Sequence, residues 1–171
     1  MKFCHLTQFP EMHLRYIKEA LNAEYKVSYK PNQLSAPSSF NTDPFLHKLR
    51  LRWKGIYGTD LTGRGVYIKN LPHSYYDWHT DIGRECSINW VLKTNPKAMT
   101  LYRDHIPAPE GNNSFMYDIE EIDYTLYKPT LLDTTKEHCI INSSNDERII
   151  FSLSINAPFE QAKEFFSNVV V

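Results

Sequence analysis

The sequence predicts a mainly β fold with helices at both ends. Three observations carry that expectation. From Gly65 onward the chain breaks into short runs of β-branched and aromatic residues separated by turn residues; there are eight, the number of strands in a jelly roll. The last run, Arg148 to Ile155, alternates strictly, with Ile149, Phe151, Leu153 and Ile155 on one side and Arg148, Ile150, Ser152 and Ser154 on the other. Before and after this region the apolar residues recur at three and four instead. At 171 residues the chain has the length of one domain with a real core. We expect a helical part over 1–60, a barrel core over 65–156 and a closing helix over 158–168.

In chain order, Pro10 is placed to open an amphipathic helix to Asn22, with Leu14, Ile17 and Leu21 inward. Residues 27–42 are polar with two prolines and read as a loop, either a connector or a flap over a site. Asp43-Pro44 forms an N-cap and first-turn pair, and Leu46, Leu49, Trp53 and Ile56 follow a helical period towards Gly55 or Gly58. Lys48, Arg50, Arg52 and Lys54 along this segment suit a solvated face or a contact with an anionic substrate. The expected strands are 65–70, 75–81, 87–93, 98–103, 123–127, 130–134, 137–142 and 148–155. Residues 104–120 read as a long loop, a candidate lid, with His105 on the surface. Pro158 opens the last helix, with Ala162, Phe165, Phe166 and Val169 apolar.

The formal net charge of −1 gives no overall field towards nucleic acid or an anionic membrane, although the basic cluster at 48–54 keeps nucleic acid open. No apolar run approaches a membrane span, and the N-terminus lacks an apolar signal region. Cys4, Cys86 and Cys139 are odd in number and far apart, so neither a disulfide framework nor a zinc site is expected. The expected location is the cytoplasm, and the expected partner a small-molecule or protein substrate.

The chemistry gathers at Tyr75–Arg84, YYDWHTDIGR, which holds the only His-x-Asp, His79-Thr80-Asp81. On an extended strand residues i and i+2 share a face, so imidazole and carboxylate can converge. Chance alone supplies roughly 0.4 such matches in a chain of this composition. The order of further features is less easily met by accident. His138 follows His79 by 59 residues at the start of a strand-like run, and Arg148 follows His138 by ten at the head of another. Two imidazoles and a carboxylate on one side of a metal leave its opposite face open, the 2-His-1-carboxylate arrangement of non-haem Fe(II) oxygenases.

Over roughly Val66 to Ile155 the sequence resembles the Fe(II)/2-oxoglutarate-dependent dioxygenases, including the prolyl and aspartyl/asparaginyl hydroxylases. Their pattern is His-x-Asp, a distal His, and an Arg about ten residues on. The resemblance implies a double-stranded β-helix, a cupin-like jelly roll. It implies His79, Asp81 and His138 as iron ligands and Arg148 as partner of the distal carboxylate of 2-oxoglutarate. Many members carry Arg-x-Ser, but Ile150 stands there in this chain; Ser152, Tyr67 or Asn89 could supply the second co-substrate contact. Arg84 is a candidate for a substrate carboxylate, or an exposed turn residue. Asp77, Ser87 and Tyr75 are candidates to hold the imidazoles by their outer N–H. The presence of Asp81 favours hydroxylation over halogenation. The implied activity is oxidation of a substrate with release of succinate and CO2. The alternative is a metal-binding cupin-like protein without oxygenase activity.

Overall fold

The computed structural model describes residues 1–28, 33–61, 63–106 and 116–168. Eleven strands and three α-helices follow in the order β1 (Phe3–His5), α1 (Leu14–Asn22), β2 (Lys26–Val27), β3 (Gln33–Pro37), α2 (Pro44–Tyr57), β4 (Gly65–Asn70), β5 (Ser74–His79), β6 (Cys86–Lys93), β7 (Ala98–Ile106), β8 (Met116–Glu121), β9 (Pro129–Asp133), β10 (His138–Asn142), β11 (Arg148–Ile155) and α3 (Phe159–Asn168). They form a seven-stranded sheet, β1-β9-β6-β11-β4-β3-β2, and a four-stranded sheet, β5-β10-β7-β8. The paired strands are antiparallel. From β4 to β11 the chain passes back and forth between the two sheets, so eight strands wind as a double-stranded β-helix.

The alternation along β11 sets the layering. Phe151 and Leu153 face outward into a core shared with the helices, where Phe40, Trp90 and Phe151 meet edge to face. α2 and α3 close over this face through Trp53 and Phe165, whose ring centroids lie 4.9 Å apart. Ile150 and Ser152 face inward, into the space between the sheets. The apolar outward row needs the helices to exclude water, and the mixed inward row leaves polar groups for a site.

α2 matches its sequence signals. Asp43 caps it by accepting from the Phe45 amide at 2.7 Å, Pro44 occupies the first turn, and Gly58 ends it in the left-handed region at φ 70°. α1 begins later than expected, at Leu14. Pro10 lies outside it, with its carbonyl taken by the Trp90 indole, and His13 serves as N-cap. The buried face of α1 is Tyr16, Ile17 and Ala20, while Leu14 and Leu21 are exposed. The expected loop 27–42 contains β3, which pairs with β4 over Gln33–Pro37 and is part of the large sheet rather than a flap; residues 29–32 lie outside the described residues.

The fifth barrel strand also sits elsewhere than expected. β8 covers Met116–Glu121, inside the expected loop 104–120, and β7 extends to Ile106, so His105 is an exposed strand residue. Residues 107–115, where a lid was expected, lie outside the described residues. The run 123–127 is a turn. Tyr127 adopts φ 65° and donates its amide to the Val91 carbonyl, and Tyr124 lies against the Arg148 guanidinium. β8 is an edge strand in which Tyr117 and Ile119 are exposed along with Asp118, Glu120 and Glu121, so no buried apolar row supports it. No described helix is long and apolar enough to cross a membrane.

Candidate metal centre

β5 and β10 are hydrogen-bonded neighbours, and their register sets His79 opposite His138. Asp81 follows two residues beyond the end of β5, where its amide donates to the Thr134 carbonyl at 2.9 Å. The three side chains converge. Asp81 Oδ1 is 3.8 Å from His79 Nε2, and Asp81 Oδ2 is 3.9 Å from His138 Nε2. One ligand atom from each lies within 4.8 Å of the other two.

The outer nitrogens of both imidazoles meet backbone carbonyls. His79 Nδ1 is 2.6 Å from the Asp77 carbonyl, and His138 Nδ1 is 2.9 Å from that of Lys136. A carbonyl only accepts, so each Nδ1 carries the proton, and in the neutral ring each Nε2 presents its lone pair to the centre. This tautomer is the one a metal needs, and the carbonyls fix the orientation of the rings. The Tyr76 ring packs edge-on against His79 at 4.0 Å between centroids, which limits its rotation further. The expected outer partners are met in part: Asp77 serves through its backbone, while Tyr75 donates to the Asp77 carboxylate instead. A borderline divalent ion bound about 2.1 Å from each ligand sets neighbouring donors about 3 Å apart, so the three side chains, within 4.8 Å of one another, must draw together by less than about 2 Å to hold it. The donor set therefore fits a metal.

Arg148 begins β11 at the far end of the barrel. β10 runs inward from His138, and β11 returns towards the level of the triad at Ser152. The Arg148 side chain is fully buried (1% exposed) and donates from Nη1 to Thr100 Oγ1 at 3.0 Å. Its Nε is buried without a hydrogen-bond partner, and no carboxylate pairs with it among the described residues. Burial pulls its pKa down from the usual arginine value, and the nearby Tyr124 only partly offsets this. Thr100 pairs with Ile140, two residues along β10 from His138. At about 3.4 Å per residue the guanidinium contact thus lies about 7 Å along the barrel from the triad.

The space between holds Ile68, Ser87, Asn89, Ile140, Ile150 and Ser152, and its free volume is about 30 Å3. Asn89 lines it as expected, with its buried Oδ1 unpartnered, and so does Ser87. Ser152 also lines it and accepts from Arg84 Nη1 at 3.2 Å. Tyr67 corrects the expectation. It points outward from β4 and packs on Phe151 at 5.6 Å between centroids, because residues 67 and 151 are register partners on the helix-covered face. Arg84 is drawn inward rather than out to solvent or a free substrate. Its Nε and Nη2 lie 2.8 and 2.6 Å from Asp81 Oδ2. Thr100 went unnoticed in the sequence, although its spacing from Tyr102 already set both on one face of β7.

Neither comparison with family profiles nor comparison with curated proteins finds a match. Solved structures do match. HygX from Streptomyces hygroscopicus, bound to nickel, 2-oxoglutarate and hygromycin B, has a TM-score of 0.58 at 11% identity over 92% of this chain and 84% of its own. A Pseudomonas putida prolyl-4-hydroxylase has a TM-score of 0.58 at 10% identity over 91% and 92%. A 2-oxoglutarate/Fe(II) oxygenase-family oxidoreductase from Burkholderia pseudomallei has 0.55 at 11% over 85% and 79%. The fold is that of the 2-oxoglutarate/Fe(II) oxygenases. At these identities the likeness reaches the backbone and its topology, and the site must be argued from its own atoms.

Proposed function

We propose that this chain is an Fe(II)- and 2-oxoglutarate-dependent oxygenase of the hydroxylase type, acting on a small molecule or a protein side chain. The observation that carries the reading is Arg148, a buried cation with no carboxylate to balance it among the described residues, set on the inward row of the same barrel as the triad. An unpaired buried charge is costly and needs a compensating ligand. A five-carbon dicarboxylate spans the distance from the triad to Arg148, and HygX, which shares the fold, holds 2-oxoglutarate together with a metal.

His79, Asp81 and His138 would hold Fe(II), with Arg148 and Thr100 receiving the distal carboxylate of 2-oxoglutarate. The chemistry supplied by the bound pair is oxidation of an organic substrate by dioxygen, coupled to release of succinate and CO2. The residues contribute position. The carbonyls of Asp77 and Lys136 hold the imidazoles in the metal-binding tautomer. The planar fork of Arg148 suits a carboxylate better than a point charge does. Ile68, Ile140 and Ile150 line the walls with hydrocarbon, which excludes water and strengthens charge contacts inside. A metal-binding protein without oxygenase activity would leave the buried guanidinium unexplained.

The test is anaerobic titration of the apoprotein with Fe(II) and then 2-oxoglutarate, followed by visible absorption. A charge-transfer band that appears with wild type and is lost in His138→Ala is the expected result. Fe(II) binding with no band on adding 2-oxoglutarate overturns the reading and favours the non-oxygenase protein.

A further inference from the structure

Asp81 offers two oxygens to the triad, and distance does not choose between them, since each lies 3.8–3.9 Å from one histidine nitrogen. The surroundings do choose. Oδ2 accepts from both Nε and Nη2 of Arg84, at 2.8 and 2.6 Å. The other arm of the same guanidinium, Nη1, reaches Ser152 Oγ at 3.2 Å and Ser154 Oγ at 3.3 Å. The arginine is therefore held against the inward row of β11 while its fork grips one carboxylate oxygen.

The backbone supports this grip. Gly83 turns the chain in the left-handed region at φ 83°, which folds Arg84 back over Asp81. The Thr134 hydroxyl donates to the Arg84 carbonyl at 3.2 Å, and the Thr134 carbonyl takes the Asp81 amide at 2.9 Å. Both ends of the turn are thereby tied to the same residue. The Arg84 side chain is only 22% exposed, so these contacts are poorly screened.

We propose that Arg84 is a positioning residue that reserves Oδ2 and leaves Asp81 to bind the metal through Oδ1 alone. The inference rests on the metal centre of the proposed function. A carboxylate oxygen that already accepts two charge-assisted hydrogen bonds has little left to donate to a metal. Chelation through both oxygens would break the fork and press a guanidinium towards a divalent cation. The consequence is a count. On a six-coordinate ion, two imidazoles and one carboxylate oxygen leave three positions, enough for a chelating oxo acid and one further ligand. A two-toothed carboxylate leaves two, and a chelating oxo acid fills both.

The count can be read without turnover. Wild type and the neutral variants Arg84→Met and Arg84→Gln are loaded with Mn(II) alone, and the exchangeable waters are counted by water-proton relaxation. Wild type should show three. Arg84→Met, which keeps the bulk of the side chain, should show two and bind Mn(II) about tenfold more tightly, because a chelate forms and a neighbouring cation is gone. Arg84→Gln should tighten Mn(II) binding in the same direction. Arg84→Lys, which still donates to Oδ2, should restore three waters. Adding 2-oxoglutarate should leave one water on wild type and none on Arg84→Met. Three waters in every variant, or weaker Mn(II) binding in both neutral ones, overturns the inference while the metal centre stands. Failure of wild type to take up Mn(II), Fe(II) or Co(II) overturns the metal centre and the inference with it.

Discussion

Replacing Arg148 with methionine should separate stability from co-substrate binding. The guanidinium is fully buried against the Tyr124 ring, donates to Thr100, and has an Nε without a hydrogen-bond partner among the described residues. Exchanging an uncompensated buried charge for an apolar side chain of similar length is neutral or stabilises by about 1–4 kcal/mol. Leaving the Thr100 hydroxyl without its donor costs about 1–3 kcal/mol. The two largely offset each other, so the ligand-free variant should unfold within about 3 kcal/mol of wild type, a shift of less than about 12 °C for a chain of this size. Binding should change far more. Two charge-assisted hydrogen bonds to a carboxylate are worth about 1.5–3 kcal/mol each, so losing both weakens 2-oxoglutarate binding by about 3–6 kcal/mol, roughly a hundredfold to ten-thousandfold. The assay is thermal unfolding of the Co(II)-loaded protein with and without 2-oxoglutarate. At 100 times its dissociation constant for wild type the ligand should stabilise wild type by about 2.7 kcal/mol, and Arg148→Met by no more than about 0.4 kcal/mol. If Arg148→Met unfolds more than about 3 kcal/mol early and still binds 2-oxoglutarate within a few-fold of wild type, the arginine is a structural residue and the reasoning fails.

Two further predictions concern the frame around the site. A Cβ at Gly63 would stand 2.2 Å from the Ser154 carbonyl oxygen, a backbone atom that cannot yield by rotation, so Gly63→Ala should cost about 1–3 kcal/mol and lower the unfolding temperature by about 2–12 °C. An unchanged melting point would show that the segment gives way freely. Asp43 accepts from the Phe45 amide, Tyr16 and Arg15; burial works to raise its pKa, but these partners hold it below the ordinary value. The folded state therefore binds fewer protons than the unfolded one, and the contribution is present above about pH 4 and lost as the pH falls through the folded pKa. The stability gap between wild type and Asp43→Asn, read from urea midpoints, should close on acidification below about pH 4; a gap constant from pH 7 to pH 3 would refute the assignment.

Elements with matched local and tertiary signals were legible in the sequence. β4 and β11 lie where the strand patterning set them, because inward and outward rows differ in chemistry at every step. α2 was marked by both caps. The triad was legible because the i, i+2 spacing and the order of the ligands follow directly from strand geometry. What escaped depends on contacts between distant residues. β3 is polar and carries a proline, yet it joins the large sheet because β4 offers it a hydrogen-bonding edge. α1 turned a different face inward because the N-terminal segment is anchored by Met12 to Tyr127 and by Pro10 to Trp90 before the helix starts. Tyr67 and Asn89 were equal candidates for the site until register fixed their faces: Tyr67 pairs with Phe151 and Asn89 with Ser152, one residue apart on β11 and so on opposite sides. The partners of the two imidazole Nδ1 atoms are backbone carbonyls, which every residue carries and no sequence pattern marks.

The charges inside the barrel argue that the two expected ligands belong together. Among the described residues that line or close the interior, Asp81 is matched by Arg84, and Arg148 remains over. A divalent metal entering alone would add its full charge to a space that already carries an excess cation, at a distance where low polarity magnifies repulsion. A dicarboxylate entering alone would meet Arg148 but would set its other end beside Asp81 and two neutral imidazoles. A divalent ion and a dianion entering together leave the net charge of the interior as it was and place opposite charges next to each other at both ends. On the proposed function, the arginine that is unbalanced in the free protein would thus be the reason for the metal and the oxo acid to bind as a pair, and Arg84, by holding one oxygen of Asp81, would keep the number of open positions that the pair requires.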